Sequence, residues 1–236
     1  ALYQKLQHVS DRVDKIFTPV QDSEITSIIR QRLFSKVDEK GAKDIIEEFM
    51  NYAETERLIP SGKEPSVYRE QFISSYPFMP EVVDKLYHRW GSFPTFQRTR
   101  GVLRLLSLVI YSLKDKNIPY ISLADFDLNA QEIRQELLRH IGPEYNSVIA
   151  ADITSPNSGA TVVDASLGKS YLGLNLGKRT TTTIFLYSFS GGTERGATIG
   201  EIKRSATTLN NPSSVIVDVL EGLKQKLFYL QTTEDK

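Results

Sequence analysis

Apolar residues return at three- and four-residue intervals along most of this chain, a spacing that predicts helices. The first clear run follows a Thr18-Pro19 break, with Asp22 or Ser23 as cap. There Ile25, Ile28, Ile29, Arg32 and Leu33 give one amphipathic stripe, and the helix should reach about Phe34. "AKDIIEEFMNYAETERL", residues 42–58, repeats the pattern, so these two read as a packed helix pair. After the loop "PSGKEPS", residues 67–75 and 80–90 read as two short helices, the second begun by Pro80. A longer helix is predicted from near Pro94 through "FQRTRGVLRLLSLVIYSLKDK", ended by Asn117 and Pro119.

The signal weakens from 118 to 171. "YISLADFDL" suits a short strand, "NAQEIRQELLRHIG" a helix with a glycine stop, "EYNSVIAADI" a further helix and "TSPNSGA" a loop. Three apolar-periodic runs follow, "NLGKRTTTTIFLYSF", "ATIGEIKRSATTL" and "PSSVIVDVLEGLKQKLFYL". The four threonines of the first favour a strand by propensity, but its length and neighbours favour a helix, which is the reading adopted. Helix, turn, helix, turn, longer helix and then "FYLQTT" as a strand is the order of a winged helix. The chain stops at "TTEDK", where the second wing strand should return, which predicts a piece of something longer. The expected fold is therefore mainly α. It comprises a tail at 1–20, a helical lid bundle at 21–118, a connecting α+β region at 119–174 and a winged-helix-like module with a truncated wing at 175–236.

Composition narrows the chemistry. The chain has 236 residues, 40% of them apolar, enough for sizeable cores. It has no leader-like amino terminus and no long apolar run, so a cytoplasmic chain without a membrane partner is expected. With no cysteine and only His8, His88 and His140, no metal site is expected. No histidine stands in a recognisable nucleophile motif, and the acids Glu47, Glu48, Glu54 and Glu56 read as a solvated helix face. Trp90, Phe93, Phe96 and Tyr76-Pro77-Phe78 read as core and helix-corner packing.

Two stretches imitate a phosphate-binding loop. In "FLYSFSGGTERGATIG", residues 185–200, Gly191 and Gly196 have the spacing of G-x-x-x-x-G-K-[ST] and Thr198 holds the magnesium-hydroxyl position, but Ala197 replaces the lysine. An alanine methyl cannot neutralise β- and γ-phosphate charge. "LGKS", residues 167–170, has the lysine and serine but Val163 in place of the first glycine. Both read as ordinary turns, with Thr198 as a helix cap.

The most informative charge pattern lies between Lys85 and Lys114. Lys85, Arg89, Arg98, Arg100, Arg104 and Lys114 occur there without a single Asp or Glu, in a chain whose 29 basic and 29 acidic residues balance. Six cations without an anion need either an external anionic partner or acids from other helices. Arg100, Arg104, Ser107 and Tyr111 form a polar stripe opposite Leu105, Leu106, Val109 and Leu113. Arg98 and Arg100 flank Thr99 at the start of that helix, where forked guanidinium groups and the helix dipole both suit phosphate oxygens.

"SSYPFMPEVVDKLYHRWGSFPTFQRTRGVLRLLSLVI", residues 74–110, closely resembles a stretch in a family of large prokaryotic AAA-type P-loop ATPases that carry a domain of unknown function and are often encoded near DNA methylases and helicases in phage-defence loci. "TPVQDSEITSIIRQRLF" before it, and "IFLYSFSGGTERGATIGEIKRSA" and "VLEGLKQKLFYLQ" after it, resemble the flanking segments in the same order. The resemblance implies that this chain is the lid and winged-helix part of such an enzyme, following an ATPase core that carries the phosphate loop and the acidic magnesium motif. Arg100, with Arg98 as second candidate, would then be the lid arginine that senses the γ-phosphate. ATP and magnesium belong to the parent protein, and the fragment alone should bind neither. The missing core, DNA and further copies of the chain are the candidate partners. The alternative is a winged-helix adaptor that contacts DNA or protein with no nucleotide role. Residues 175–236 hold eight Lys/Arg and six Asp/Glu, a net of +2, and Lys178, Arg179, Lys203 and Arg204 are the residues to suspect if DNA binds.

Overall fold

Residues 22–233 are described by the computed structural model; the tail at 1–20 with His8, and residues 234–236, lie outside them. Helix α1 (Asp22–Leu33) follows the predicted stripe, burying Ile25 and Ile29. Helix α2 (Glu39–Thr55) starts at Asp38, whose side chain accepts from the Lys40 N–H, and buries Ala42, Ile46, Phe49, Met50 and Ala53 along one face. Prolines open both α3 (Pro65–Ser75) and α4 (Pro80–His88), where the missing N–H costs nothing. A 3₁₀ turn at Trp90–Ser92 and then α5 (Thr99–Leu113) complete the first half.

The predicted start of α5 near Pro94 is five residues early, for a physical reason. Phe96 is fully buried, and Gln97 and Arg98 take left-handed φ values of 63° and 43°, which a helix cannot continue through. The chain then passes so close to the helix that a Cβ on Gly101 would lie 2.1 Å from the Phe96 carbonyl oxygen. Only glycine permits that approach. The Phe96–Gly101 segment is thus a buried anchor followed by a tight turn into a helix.

Tyr120 to Leu123 does not form the expected strand. Ile121 makes one isolated parallel bridge with Phe78, its N–H donating to the Pro77 carbonyl and its carbonyl accepting from Met79 N–H. Ser122 and Asp125 then cap a 3₁₀ turn at Leu123–Asp125. Helix α6 (Gln131–Ile141) ends as predicted at a glycine, Gly142, with φ 114°. Helix α7 (Tyr145–Val148) widens into a π-helical turn over Ile149–Thr154. Helix α8 (Gly159–Ser166) was not expected. It is short, its apolar content too brief for a periodic signal, and it begins within the segment read as a loop at Ser158, whose hydroxyl accepts from Thr161 N–H.

The last three runs form α9 (Leu176–Tyr187), α10 (Ile199–Ala206) and α11 (Val215–Lys226), which pack on one another in the expected order. Helix wins in α9 because Thr180 to Thr183 are all buried, and the Thr181 and Thr183 hydroxyls donate to the carbonyls of Gly177 and Arg179 one turn back, at 2.8 and 2.9 Å. Tertiary burial overrides β-propensity. Past α11 the expected strand does not form, and no strand occurs among the described residues. The N–H groups of Phe228 and Tyr229 donate instead to buried Asp152, at 3.0 and 3.2 Å, folding the chain back onto the π turn. One continuous apolar core runs from Ile25 to Leu223 through both halves. No helix of the described residues is long and apolar enough to cross a membrane.

Candidate functional site

The glycine turn at 188–197 has no backbone donors to spare for a phosphate at its glycines. Gly191 N–H donates to Ser92 Oγ at 2.8 Å, Gly192 N–H to Ser190 Oγ at 3.1 Å, and Gly196 N–H to the Tyr187 carbonyl at 3.0 Å. Gly191 is needed because a Cβ there would meet the Ser92 carbonyl oxygen at 2.6 Å. Thr198 caps α10 as predicted, accepting from Glu201 N–H while the Glu201 carboxylate accepts from Thr198 N–H. The turn is a docking element between the two halves.

The six cations of the basic stretch meet different fates. Arg89 is 2% exposed and donates through Nη1 to the carbonyls of Tyr187 and Gly196, both at 2.8 Å, and through Nη2 to Glu194. Beside it the Trp90 indole N–H donates to the Leu186 carbonyl at 2.9 Å. Together they satisfy carbonyls that the end of α9 leaves open. Lys85 lies 3.4 Å from Glu201, and Arg104 pairs with Glu136. Acids from α6, the glycine turn and α10 therefore serve these three. Lys114 is exposed and sits 4.5 Å from the centre of the Tyr111 ring.

Arg98 and Arg100 differ. Both are exposed, and neither guanidinium makes a hydrogen bond or ion pair among the described residues. Arg98 is the left-handed residue just before α5, and Arg100 lies in its first turn. Two free guanidinium groups at a helix start, where the dipole is positive, form a local surplus of positive charge that an anion would neutralise.

The four cations suspected of DNA contact divide into two pairs. Arg179 donates to the Ala206 carbonyl at 2.8 Å and to Asp125, and Arg204 is 8% exposed, with Nη1 2.7 Å from the Leu58 carbonyl and Nε 2.6 Å from Glu81. Lys178 and Lys203 are only half-buried. The Arg204–Glu81 pair ties α10 to α4, and the Tyr68 hydroxyl donates to the same carboxylate at 3.0 Å. Burial, and then the Glu81 charge, hold the Tyr68 phenol protonated well above its usual range. Tyr187 is raised in the same way, by burial first and the nearby carboxylates second, and its hydroxyl has no hydrogen-bond partner among the described residues. Glu81 also lines a groove of about 450 Å³ between α1, α3 and α4, walled by Ile25, Val67 and Tyr87. Arg98 and Arg100 do not line it.

Two expectations for polar residues need correction. Glu56 is not part of a solvated face: half-buried, it accepts from Ser213 N–H at 2.7 Å just before α11. His140 does stand in a polar chain. Its Nδ1 is 2.8 Å from Thr95 Oγ1 and its Nε2 3.1 Å from Glu136 Oε1. The sequence carried half of this signal, since Glu136 and His140 stand four apart on a predicted helix. Thr95 lies 45 residues away, beyond any local pattern.

Comparison with curated proteins and with solved structures finds no match. The family described as the DUF499 second domain matches residues 20–209, which span α1 to the end of α10 and include both free arginines, and the chain belongs to that family.

Proposed function

We propose that this chain is the lid and winged-helix-like part of an ATP-dependent, AAA-type P-loop ATPase, in which Arg100, with Arg98 as second candidate, contacts the γ-phosphate of ATP held with magnesium by a preceding core. The observation that carries this reading is the contrast within one basic stretch: Lys85, Arg89 and Arg104 have acidic partners, whereas Arg98 and Arg100 are exposed and have none among the described residues. A guanidinium in that position can stabilise charge on a transferring phosphoryl group. The core supplies the phosphate loop and metal ligands, since the glycine turn here spends its N–H groups on protein acceptors.

Arg89 and Trp90 supply the coupling. They lie between α4 and α5 and grip the end of α9, so a displacement of α5 on nucleotide contact would be felt in the module formed by α9, α10 and α11. The adaptor reading needs several cations on one surface to meet a phosphate backbone, and two of its four candidates, Arg179 and Arg204, are committed to Asp125 and Glu81. ATP turnover by a longer protein that restores the preceding core tests the proposal. Arg100→Ala or Arg98→Ala should abolish turnover with the fold intact, whereas full turnover in both variants would return the arginines to a partner surface.

A further inference from the structure

We propose that Thr95 is an activated hydroxyl, the nucleophile of an open acyl-transfer site that accepts small activated esters. The inference stands apart from the ATPase reading and rests on a different set of residues. Thr95 is exposed on the loop before α5, while the His140 side chain is fully buried and that of Glu136 is 4% exposed. Hydroxyl, imidazole and carboxylate follow one another at 2.8 and 3.1 Å, the order and spacing that mark a nucleophile, its base and the group that orients the base.

The proton positions follow from the partners. A carboxylate can only accept, and Glu136 at 3.1 Å is nearer to His140 Nε2 than Arg104 Nη2 at 3.5 Å, so the shorter contact favours hydrogen on Nε2 and leaves the Nδ1 lone pair facing the Thr95 hydroxyl. That hydroxyl then donates inward, and its own lone pairs point outward. The Phe96 ring packs edge-on to the imidazole at 5.1 Å, which fixes its plane and excludes water from the base. Arg104 and Arg139 also bind Glu136, the latter at 3.2 Å. They hold the carboxylate rigid but share its charge, so it stabilises an imidazolium less than an unshared carboxylate would. The site should therefore open activated esters and leave amides intact. Thr95 is exposed, so an ester reaches it directly from solvent.

In the reaction the Thr95 Oγ1–carbon bond forms as the carbon–oxygen bond to the leaving group breaks, and the hydroxyl proton passes to His140 Nδ1. The leaving alcohol, or solvent if the leaving group departs as a stable anion, takes that proton. Water repeats the sequence on the acyl-threonine, releasing the acid and restoring the hydroxyl.

The test is acetylation by p-nitrophenyl acetate at neutral pH, mapped by peptide mass spectrometry on the intact chain. Ser107, an exposed hydroxyl on α5, serves as the internal reference. Thr95 should acquire acetyl on the order of 100-fold faster than Ser107, the range of positioned general-base catalysis. Thr95→Ser should keep the p-nitrophenolate burst and Thr95→Ala should remove it; both sit at an exposed position and leave the fold alone. His140→Gln, checked for folding by circular dichroism, should slow the labelling of Thr95 by a similar factor. Equal labelling of Thr95 and Ser107, or a burst that survives in Thr95→Ala, overturns the proposal.

Discussion

Lys85 and Arg89 at the start of the basic stretch, and Arg98 and Arg100 in its middle, look alike in sequence and behave oppositely in the fold. Arg89 is interior, spends its donors on two carbonyls and Glu194, and lies 5.0 Å from the Tyr187 ring centre. Arg98 and Arg100 face solvent with no such partners among the described residues. The difference teaches that an acid-free run of cations is not one signal. Lys85, Arg89 and Arg104 are structural clasps whose acids arrive from elsewhere in the chain, and Arg98 and Arg100 between them are left to bind something else. Stability measurements can separate the two groups.

The largest loss is expected at the charge pair that anchors the clasp side. Glu81→Ala would leave the Arg204 guanidinium, 8% exposed, without its carboxylate and deprive the Tyr68 hydroxyl of its acceptor. Removing one partner of a buried ion pair costs about 3–5 kcal/mol, and urea unfolding should show a loss in that range. Arg89→Ala comes next, at about 3 kcal/mol, because it takes the donor from the Gly196 carbonyl and one of two donors from the Tyr187 carbonyl, which keeps the Gly196 N–H, while Glu194 can return to water. A loss below about 1 kcal/mol at Arg89 would erase the distinction between the paired and the unpaired cations.

Tyr187→Phe should have the opposite sign. The hydroxyl is buried with no hydrogen-bond partner among the described residues, so deleting it removes a desolvation cost and should be neutral or stabilising by about 1 kcal/mol. Its raised pKa also gives a pH signature. The folded state keeps the proton at pH values where the unfolded phenol ionises, near pH ~10, so this contribution to stability is fully present below that value and is lost as pH rises beyond it. Phenylalanine does not titrate, and the variant should therefore lose less stability than the parent between about pH 10 and 11. Equal alkaline losses would mean that the phenol is not shielded.

Much of the helical order was legible because each long helix has a wide apolar stripe; α2 shows it from Ala42 to Ala53. The features that escaped are those that periodicity does not encode. Helix α8 is too short to repeat, and the turn before α5 depends on Phe96 being buried and Gly101 being able to lie against it. The strand expected after α11 fails because a distant acid, Asp152, takes its N–H groups. The site follows the same rule. The free arginines were visible as charge, but which of the six cations were already neutralised depended on Glu136, Glu194 and Glu201, all distant in the chain. The link between Thr95 and His140 is of that kind too.

The smallest stability effect is expected at the arginines singled out for function. Arg98→Ala and Arg100→Ala remove exposed side chains that have no partner among the described residues, and surface changes of this type stay within about 0.5 kcal/mol. Arg98 deserves separate treatment, since its backbone has φ 43°, a region that alanine tolerates no better than arginine. Arg98→Gly should therefore be as stable as the parent or more so, while Arg100→Gly should lose about 1 kcal/mol from helix propensity in the first turn of α5. Set against turnover in the longer protein, these variants separate two kinds of residue. Arg89→Ala should lose activity in proportion to its loss of folded protein, but a true γ-phosphate sensor should lose activity at unchanged stability. If Arg98→Ala and Arg100→Ala instead unfold the chain as readily as Arg89→Ala does, the buried and the exposed arginines do the same work, and the contrast on which the lid reading rests disappears.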